Sequence, residues 1–253
     1  MQPHMITKVR REPRRRVVQV SSVERLTPRM LRIAFASDDL RDFESAAPDD
    51  HVKLFIPDRA QSAGEPHKRD FTPRAFDPAS GSLSIDFAVH ESGPAIEWAN
   101  TARVGDTLEI GGPRGSTVVP DDFDWYLMIG DETALPAIGR WVERLRRGVP
   151  VTTFCLVADA GEIQTFETEA EHKAIWLDRS RQPSGRDTAM LDAALAQWQP
   201  SAGDGYIWIA AEASVARSLR DYFLNVHQHP RAWIKAAGYW KSGTANAHEK
   251  IED

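Results

Sequence analysis

The sequence predicts a β + α/β architecture in two domains: an N-terminal antiparallel six-stranded barrel over residues 1–120, then a C-terminal doubly wound parallel sheet over 121–253. Three observations predict it. Between about residues 14 and 118, six short segments alternate or are β-rich, and Pro, Gly, Asp and Ser separate them. From about residue 124, apolar strand-like runs alternate with helical periodicity, the pattern of right-handed crossovers in a parallel sheet. Pro and Asp cluster in STVVPDDFDW, which marks the seam.

The six strands read in order as RRVVQVSSVE, MLRIAFAS, HVKLFIP, RDFTPRAF, LSIDFAVH and DTLEIGG. That many strands in roughly a hundred residues favours a closed antiparallel barrel. One helix interrupts them at GPAIEWANTA, with Pro94 suited to its first turn. In the second half DWYLMIGD is a strand, and ALPAIGRWVERLRR is a helix ended by Gly148. VTTFCLVADA and AIWLDR supply two more strands, TAMLDAALAQW a helix, and YIWIAAEAS a strand running into a turn. VARSLRDYFLNVH is the last helix and RAWIKAAGYW the last strand. Open parallel sheets bind ligands beyond the carboxyl ends of their strands, here IGDETALP, VADAGE, LDRSR and AAEAS, and the cleft between the halves is the expected site.

Composition narrows the class. Hydrophobic residues make up 42% and charged residues 27% of 253, as in a soluble, well-cored protein. No apolar stretch approaches the ~20 residues of a membrane span. The basic N-terminus lacks the apolar segment of a secretory signal, and the lone Cys155 cannot form an intrachain disulfide, so the cytoplasm is the expected location. Residues 8–16, KVRREPRRR, carry a local +5, which leaves −11 elsewhere in a chain of net charge −6. An acidic body repels phosphate backbones, so this arm reads as a solvated lead-in rather than a nucleic-acid contact.

Several motifs carry possible chemistry. KRDFTPRAFD, residues 68–77, puts Arg69 and Phe71 on one strand face and Asp70, Thr72 and Arg74 on the other. It could offer an arginine fork beside a ring and a hydroxyl, or simply face water with scattered charges. GGPRGS, residues 111–116, could bring amides and Arg114 to an anion, or be an ordinary turn. FAVHESGPAIEWA ends a strand at His90 and starts a helix whose amides could receive phosphate, although such a histidine is more often a hydrogen-bonded rim residue. Asp131 and Glu132 suit acid–base work or helix capping, with capping favoured. The single Cys and the lack of paired His or Cys spacings argue against a metal site, and nucleophile-elbow, Walker and GxGxxG motifs are absent.

Taken in order, RDFTPRAFD, DFAVHESGPAIEWA, GDTLEIGGPRGS, IGDETALPAI, IWLDR, AEASVARSLR and GYWKSG resemble the motifs of the siderophore-interacting protein family. These are flavin-dependent ferric-chelate reductases of the ferredoxin reductase superfamily, and the resemblance spans about residues 14 to 243. It implies an FAD-binding barrel and a second domain for NADPH or NADH. By position, Arg69, Phe71 and Thr72 match the family's R-x-Y-[TS] flavin element: the ring packs on the flavin, Thr72 bonds near its ring system and Arg69 meets the pyrophosphate. Asp86, Val89 and His90 match a second flavin segment, followed by Gly93, Pro94 and Ala95, and Gly111, Arg114, Gly115 and Ser116 match a third. Asp131, Glu132, Thr133 and Glu212 are implied for the nicotinamide cofactor. Arg179 and Arg181 either bind an adenosine 2′-phosphate or are solvated loop bases. Lys53, Arg74 and Lys241 are the candidate bases for an anionic ferric siderophore, with Lys53 equally well a solvated charge.

The implied reaction is hydride transfer from NADPH or NADH to FAD, then one-electron steps to a ferric siderophore, releasing Fe(II). No catalytic side chain and no protein-held metal are expected, and the protein is expected to be a monomer without nucleic-acid or stable membrane association. Three residues depart from the family pattern: Phe71 for Tyr, Ile96 for Ser, and Ala211 for a Gly whose added methyl could narrow the nucleotide's approach. Two other functions stay open at this point: a general flavin or electron-transfer reductase with another acceptor, and a non-catalytic siderophore or flavin binder.

Overall fold

Where RDFTPRAF suggests one strand, the computed structural model has two, at opposite ends of one sheet. The structure describes residues 4–58, 65–89, 93–183, 185–244 and 249–251, in two units, Met1–Pro120 and Asp121–Asp253.

The first unit contains β1 (Thr7–Arg10), β2 (Arg15–Thr27), β3 (Met30–Ala36), β4 (Val52–Ile56), β5 (His67–Phe71), β6 (Pro73–Asp77), β7 (Ser82–Ala88), β8 (Thr107–Gly111) and β9 (Gly115–Val118). Seven of them form an antiparallel sheet in the order β5-β4-β8-β2-β3-β7-β6. The expected count of six is therefore corrected to seven, because the chain breaks at Thr72. Pro73 has no N–H to continue a ladder and restricts the residue before it, so pairing with β4 stops at Phe71 and pairing with β7 starts at Pro73. Only Thr72 separates the two outermost strands, so the sheet must curl until its ends approach. Phe71 on β5 lies 4.5 Å from Phe87 on β7, measured between ring centroids. The barrel is closed by the chain itself rather than by a ladder between β5 and β6.

Ile33, Phe35, Leu54, Ile85, Phe87 and Ile110 fill the interior, each fully buried and each contributing about 1.5–3 kcal/mol. Helix α1 (Pro94–Thr101) touches β3, β4, β5 and β7 and lays Trp98 against Phe35 and Phe87, with centroids 6.3 and 6.1 Å apart. β1 and β9 make a separate antiparallel ribbon, so residues 7–10 are a paired strand rather than a plain lead-in, with all four residues exposed to solvent as expected.

The second unit holds β10 (Trp125–Gly130), α2 (Leu135–Arg144), β11 (Pro150–Val157), β12 (Glu171–Asp178), α3 (Asp187–Leu195), β13 (Gly205–Glu212), α4 (Ala213–Asn225), β14 (Ile234–Trp240) and β15 (Glu249–Lys250). Five parallel strands run β12-β11-β10-β13-β14, and β15 adds antiparallel to β14. β10 and β13 are buried along their whole lengths, which is why they read as continuous apolar runs. Tyr126 and Tyr206 pack against Trp141 of α2 on one face. Leu127, Ile129, Ile207 and Ile209 pack with Leu191 and Leu195 of α3 and Leu219 and Phe223 of α4 on the other. Helices on both faces make the sheet doubly wound, with the order reversing between β10 and β13. No helix among the described residues is long and apolar enough to cross a membrane.

Candidate functional site

The two units carry separate groups of candidate residues. In the first, the carboxyl end of β8 turns through Gly112, Pro113 and Arg114 into β9. Lys53 lies beside Gly111 in the β4–β8 register and also pairs across with Asp70 of β5, Nζ to Oδ1 at 2.7 Å. Its charge is thus matched within the sheet, which makes it neither a free base nor simply a solvated one. Arg114 is exposed with no ion pair among the described residues.

Three of the residues expected at the flavin have close protein partners. Asp86, 2% exposed in its side chain, accepts two bonds of 2.7 Å from Nε and Nη2 of Arg32, and Nε of Arg74 lies 3.9 Å away. Its carboxylate holds two guanidiniums. Ser116 is buried and donates at 2.7 Å to Asp50, which also accepts from Ser45 Oγ and the Ala47 amide. Gly115 serves the ribbon: a Cβ there would stand 2.3 Å from the Val9 carbonyl oxygen, so the close approach is that of β1.

Phe71 is half-buried, its ring packed against the core and tilted onto Phe87. Arg69 donates to the Lys68 carbonyl and stays partly exposed beside it. Thr72, 7% exposed, sits in the gap between β5 and β6. Val89 and Ala95 pack on the barrel core. Gly93 starts α1 with no side-chain cap, Pro94 follows, and a Cβ on Gly93 would meet nothing within 4 Å. That helix start is open among the described residues. His90 lies outside the described residues.

In the second unit the predicted residues gather at the carboxyl ends of β10, β12, β13 and β14. Asp131 is 1% exposed; it accepts from the Thr133 amide and hydroxyl at 2.9 and 2.5 Å and from Trp240 Nε1 at 2.7 Å. The acid therefore orders the turn into α2 and ties it to the end of β14. Glu132 pairs with Arg179, which also donates to Asp187 at 3.0 Å. Burial pushes the Glu132 carboxyl up, against the pull of the Arg179 guanidinium. Arg179 is committed to these two acids, whereas Arg181 is exposed. Glu212 caps α4, accepting from the Ser214 and Val215 amides at 2.6 and 3.3 Å, from the Ser214 hydroxyl, and from the Ser242 amide at 3.3 Å. Burial alone would raise its pKa, but these donors outweigh that and hold it below the usual carboxylate value. Lys241 is exposed with no ion pair among the described residues.

The concern over Ala211 is corrected. Its methyl is 1% exposed and lies in the apolar cluster under α3 and α4, so it fills core space rather than narrowing an approach from the strand ends. Sequence reasoning missed Arg32, Asp50 and Trp240. Arg32 faces Asp86 across β3 and β7, 54 residues away, and no local spacing reports that. Asp50 read as turn punctuation and Trp240 as a strand end.

The family model described as Siderophore-interacting FAD-binding domain matches residues 19–65 and 59–117, and the one described as Siderophore-interacting protein matches 123–243. An NADPH-dependent ferric-chelate reductase from Escherichia coli is 33% identical over 94% of this chain and 97% of its own. Ferric acinetobactin reductase from Acinetobacter baumannii is 28% identical over 90% of this chain and 79% of its own. Among solved structures, a siderophore utilization protein from T. fusca superposes with a TM-score of 0.88 at 33% identity, covering 96% of this chain and 98% of that one.

Proposed function

Because this chain belongs to the siderophore-interacting protein family, we propose that it is a ferric-siderophore reductase that draws electrons from NADPH or NADH through FAD and releases iron as Fe(II). The observation that carries the reading is the 33% identity to a ferric-chelate reductase along nearly the whole of both chains. The first unit has the character FAD requires. Its GGPRGS turn presents an exposed Arg114 with no ion pair among the described residues, and α1 begins at Gly93, which has no side-chain cap and space around it among those residues. Arg69, Thr72 and Arg114 would hold the cofactor, with Phe71 as apolar backing. Bound FAD would supply the change from two-electron to one-electron transfer.

The chain's own residues have separable tasks. Asp86 and Asp50 hold Arg32, Arg74 and Ser116 in place, so they orient the site without needing to touch the cofactor. In the second unit Asp131, Thr133 and Glu212 shape the edge expected to receive the nicotinamide nucleotide, and Arg181 is the exposed base available to a 2′-phosphate. NADPH is therefore the donor we expect to be preferred. Lys241, with no ion pair among the described residues, offers a positive charge to an anionic siderophore, while Lys53 and Arg74 act with their acid partners. A monomer in the cytoplasm completes the proposal, and gel filtration with cell fractionation tests that part.

Purified protein saturated with FAD should be bleached anaerobically by NADPH faster than by NADH. Adding a ferric siderophore should restore the colour while an Fe(II)-specific chelator develops its own. Reduced protein that stays reduced with a panel of ferric catecholates, hydroxamates and citrate would overturn the function. Rapid turnover of free flavin with no preference for a chelate would point to a general flavin reductase instead.

A further inference from the structure

Most of the basic run at residues 8–16 is exposed, but its last four arginines are matched by acids of the same unit. Arg11 pairs with Glu44 at 2.6 Å, Arg14 with Asp39 and Asp42, and Arg15 with Glu109 at 2.9 Å. Arg16, only 7% exposed, binds four oxygens. Its Nε donates to Asp39 O at 2.8 Å, Nη2 to Asp42 Oδ1 at 3.0 Å, and Nη1 to Arg14 O and Gly112 O at 3.3 and 3.2 Å.

The same run holds the GGPRGS turn almost atom by atom. The Gly112 amide donates to Arg14 O at 3.1 Å while its carbonyl accepts from Arg16, and Gly112 sits at φ +101°, a conformation suited to glycine. Pro113 has no amide to offer. The Arg114 carbonyl accepts from the Arg11 amide at 2.8 Å, and Gly115 pairs with Arg10. Ser116 is spent on Asp50. Of the turn's polar side chains, that of Arg114 has no ion pair among the described residues and is left to a ligand. Between the run and the turn lies an open cavity of about 590 Å³ bordered by Arg11, Arg14, Arg16, Asp42 and Pro113, so the bonds described, rather than close packing, carry much of the attachment.

We propose that Arg16 is a positioning residue for FAD binding: its fork to Gly112 O, Asp39 O and Asp42 fixes the turn so that Arg114 is presented to the cofactor's phosphates. This rests on the FAD reading above. A buried, multidentate guanidinium is suited to the task, because a planar fork fixes direction as well as distance.

The test is a double-mutant cycle on apoprotein, reading the FAD dissociation constant by fluorescence quenching. Arg16→Ala should weaken FAD binding roughly ten-fold, the scale of one charge-assisted hydrogen bond. Arg114→Ala should weaken it similarly, and adding Arg16→Ala to Arg114→Ala should cost almost nothing more, since the first residue acts through the second. Arg16→Lys, which keeps the charge but not the fork, should fail to restore affinity. Should Arg16→Ala not fold, Asp42→Asn decides the matter: it alters an exposed carboxylate, and should weaken binding roughly three-fold with the same dependence on Arg114. Additive losses, restoration by Lys, or wild-type affinity in these variants would overturn the proposal. A wild-type apoprotein that takes up no FAD sinks the cofactor assignment instead, so the two failures are distinct.

Discussion

Replacing Asp86 by Asn tests whether this acid is an anchor of the barrel or a cofactor ligand. Asn keeps the shape but removes the charge, leaving Arg32 and Arg74 facing a neutral amide that can accept through one oxygen only. Breaking a buried ion pair costs about 3–5 kcal/mol. Arg32 is 29% exposed in its side chain, so water recovers part of that loss, while Arg74 at 13% recovers less. A net loss of about 2 kcal/mol follows, or a fall in midpoint of roughly 5–10 °C for a unit of this size. Differential scanning calorimetry of the apoprotein reads it. The apo state is the decisive one: an anchor lowers the midpoint without cofactor, whereas a ligand lowers it only in the FAD-loaded protein. An apo midpoint unchanged within about 1 °C would refute the anchor.

Other outcomes follow from the second unit and the core. Ala211→Gly should cost about 1–2 kcal/mol through lost core contact and added chain entropy, with the KM for NADPH unchanged; a lowered KM would show that the methyl does obstruct the nucleotide. Glu212 titrates below the usual carboxylate value in the folded state, so its contribution is present above that value and fades as pH falls through the depressed one. Glu212→Gln should therefore flatten the acid limb of the midpoint-versus-pH curve, and an unchanged limb would argue against the capping role. Cys155 is fully buried and its thiol is pushed up to about 12 by burial, so it should react with a thiol reagent only at the rate of unfolding.

The sequence was most legible where one period governs one element. Alternation marks MLRIAFAS and LSIDFAVH because each has one face in the barrel, and the unbroken apolar run of YIWIAAE marks a strand covered on both sides. It was least legible at Thr72-Pro73, where alternation continues smoothly across a break that sends the chain to the opposite end of the sheet. The predicted site residues cluster within each unit, but several of their protein partners were hidden. Asp86 meets Arg32 and Ser116 meets Asp50 through sheet register and loop return, at separations of 54 and 66 residues. In the second unit the capping expected of Asp131 and Glu132 is not made at α2, which starts at Ala134 with no side-chain cap. Asp131 ties its turn to Trp240, Glu132 pairs with Arg179, and the acid that caps a helix is Glu212, at the first amides of α4.

The single-residue step between β5 and β6 has a consequence for how the protein behaves in a crowded solution. A seven-stranded open sheet exposes two rows of unpaired amides and carbonyls, each a template on which another chain can add a strand. Here those two rows belong to strands joined through Thr72, and one of them opens with a proline that offers no amide. Curling thus shelters two sticky borders with one short tether. Lengthening that tether with a few flexible residues should release both borders and turn a discrete protein into one prone to self-association, even with every core side chain intact.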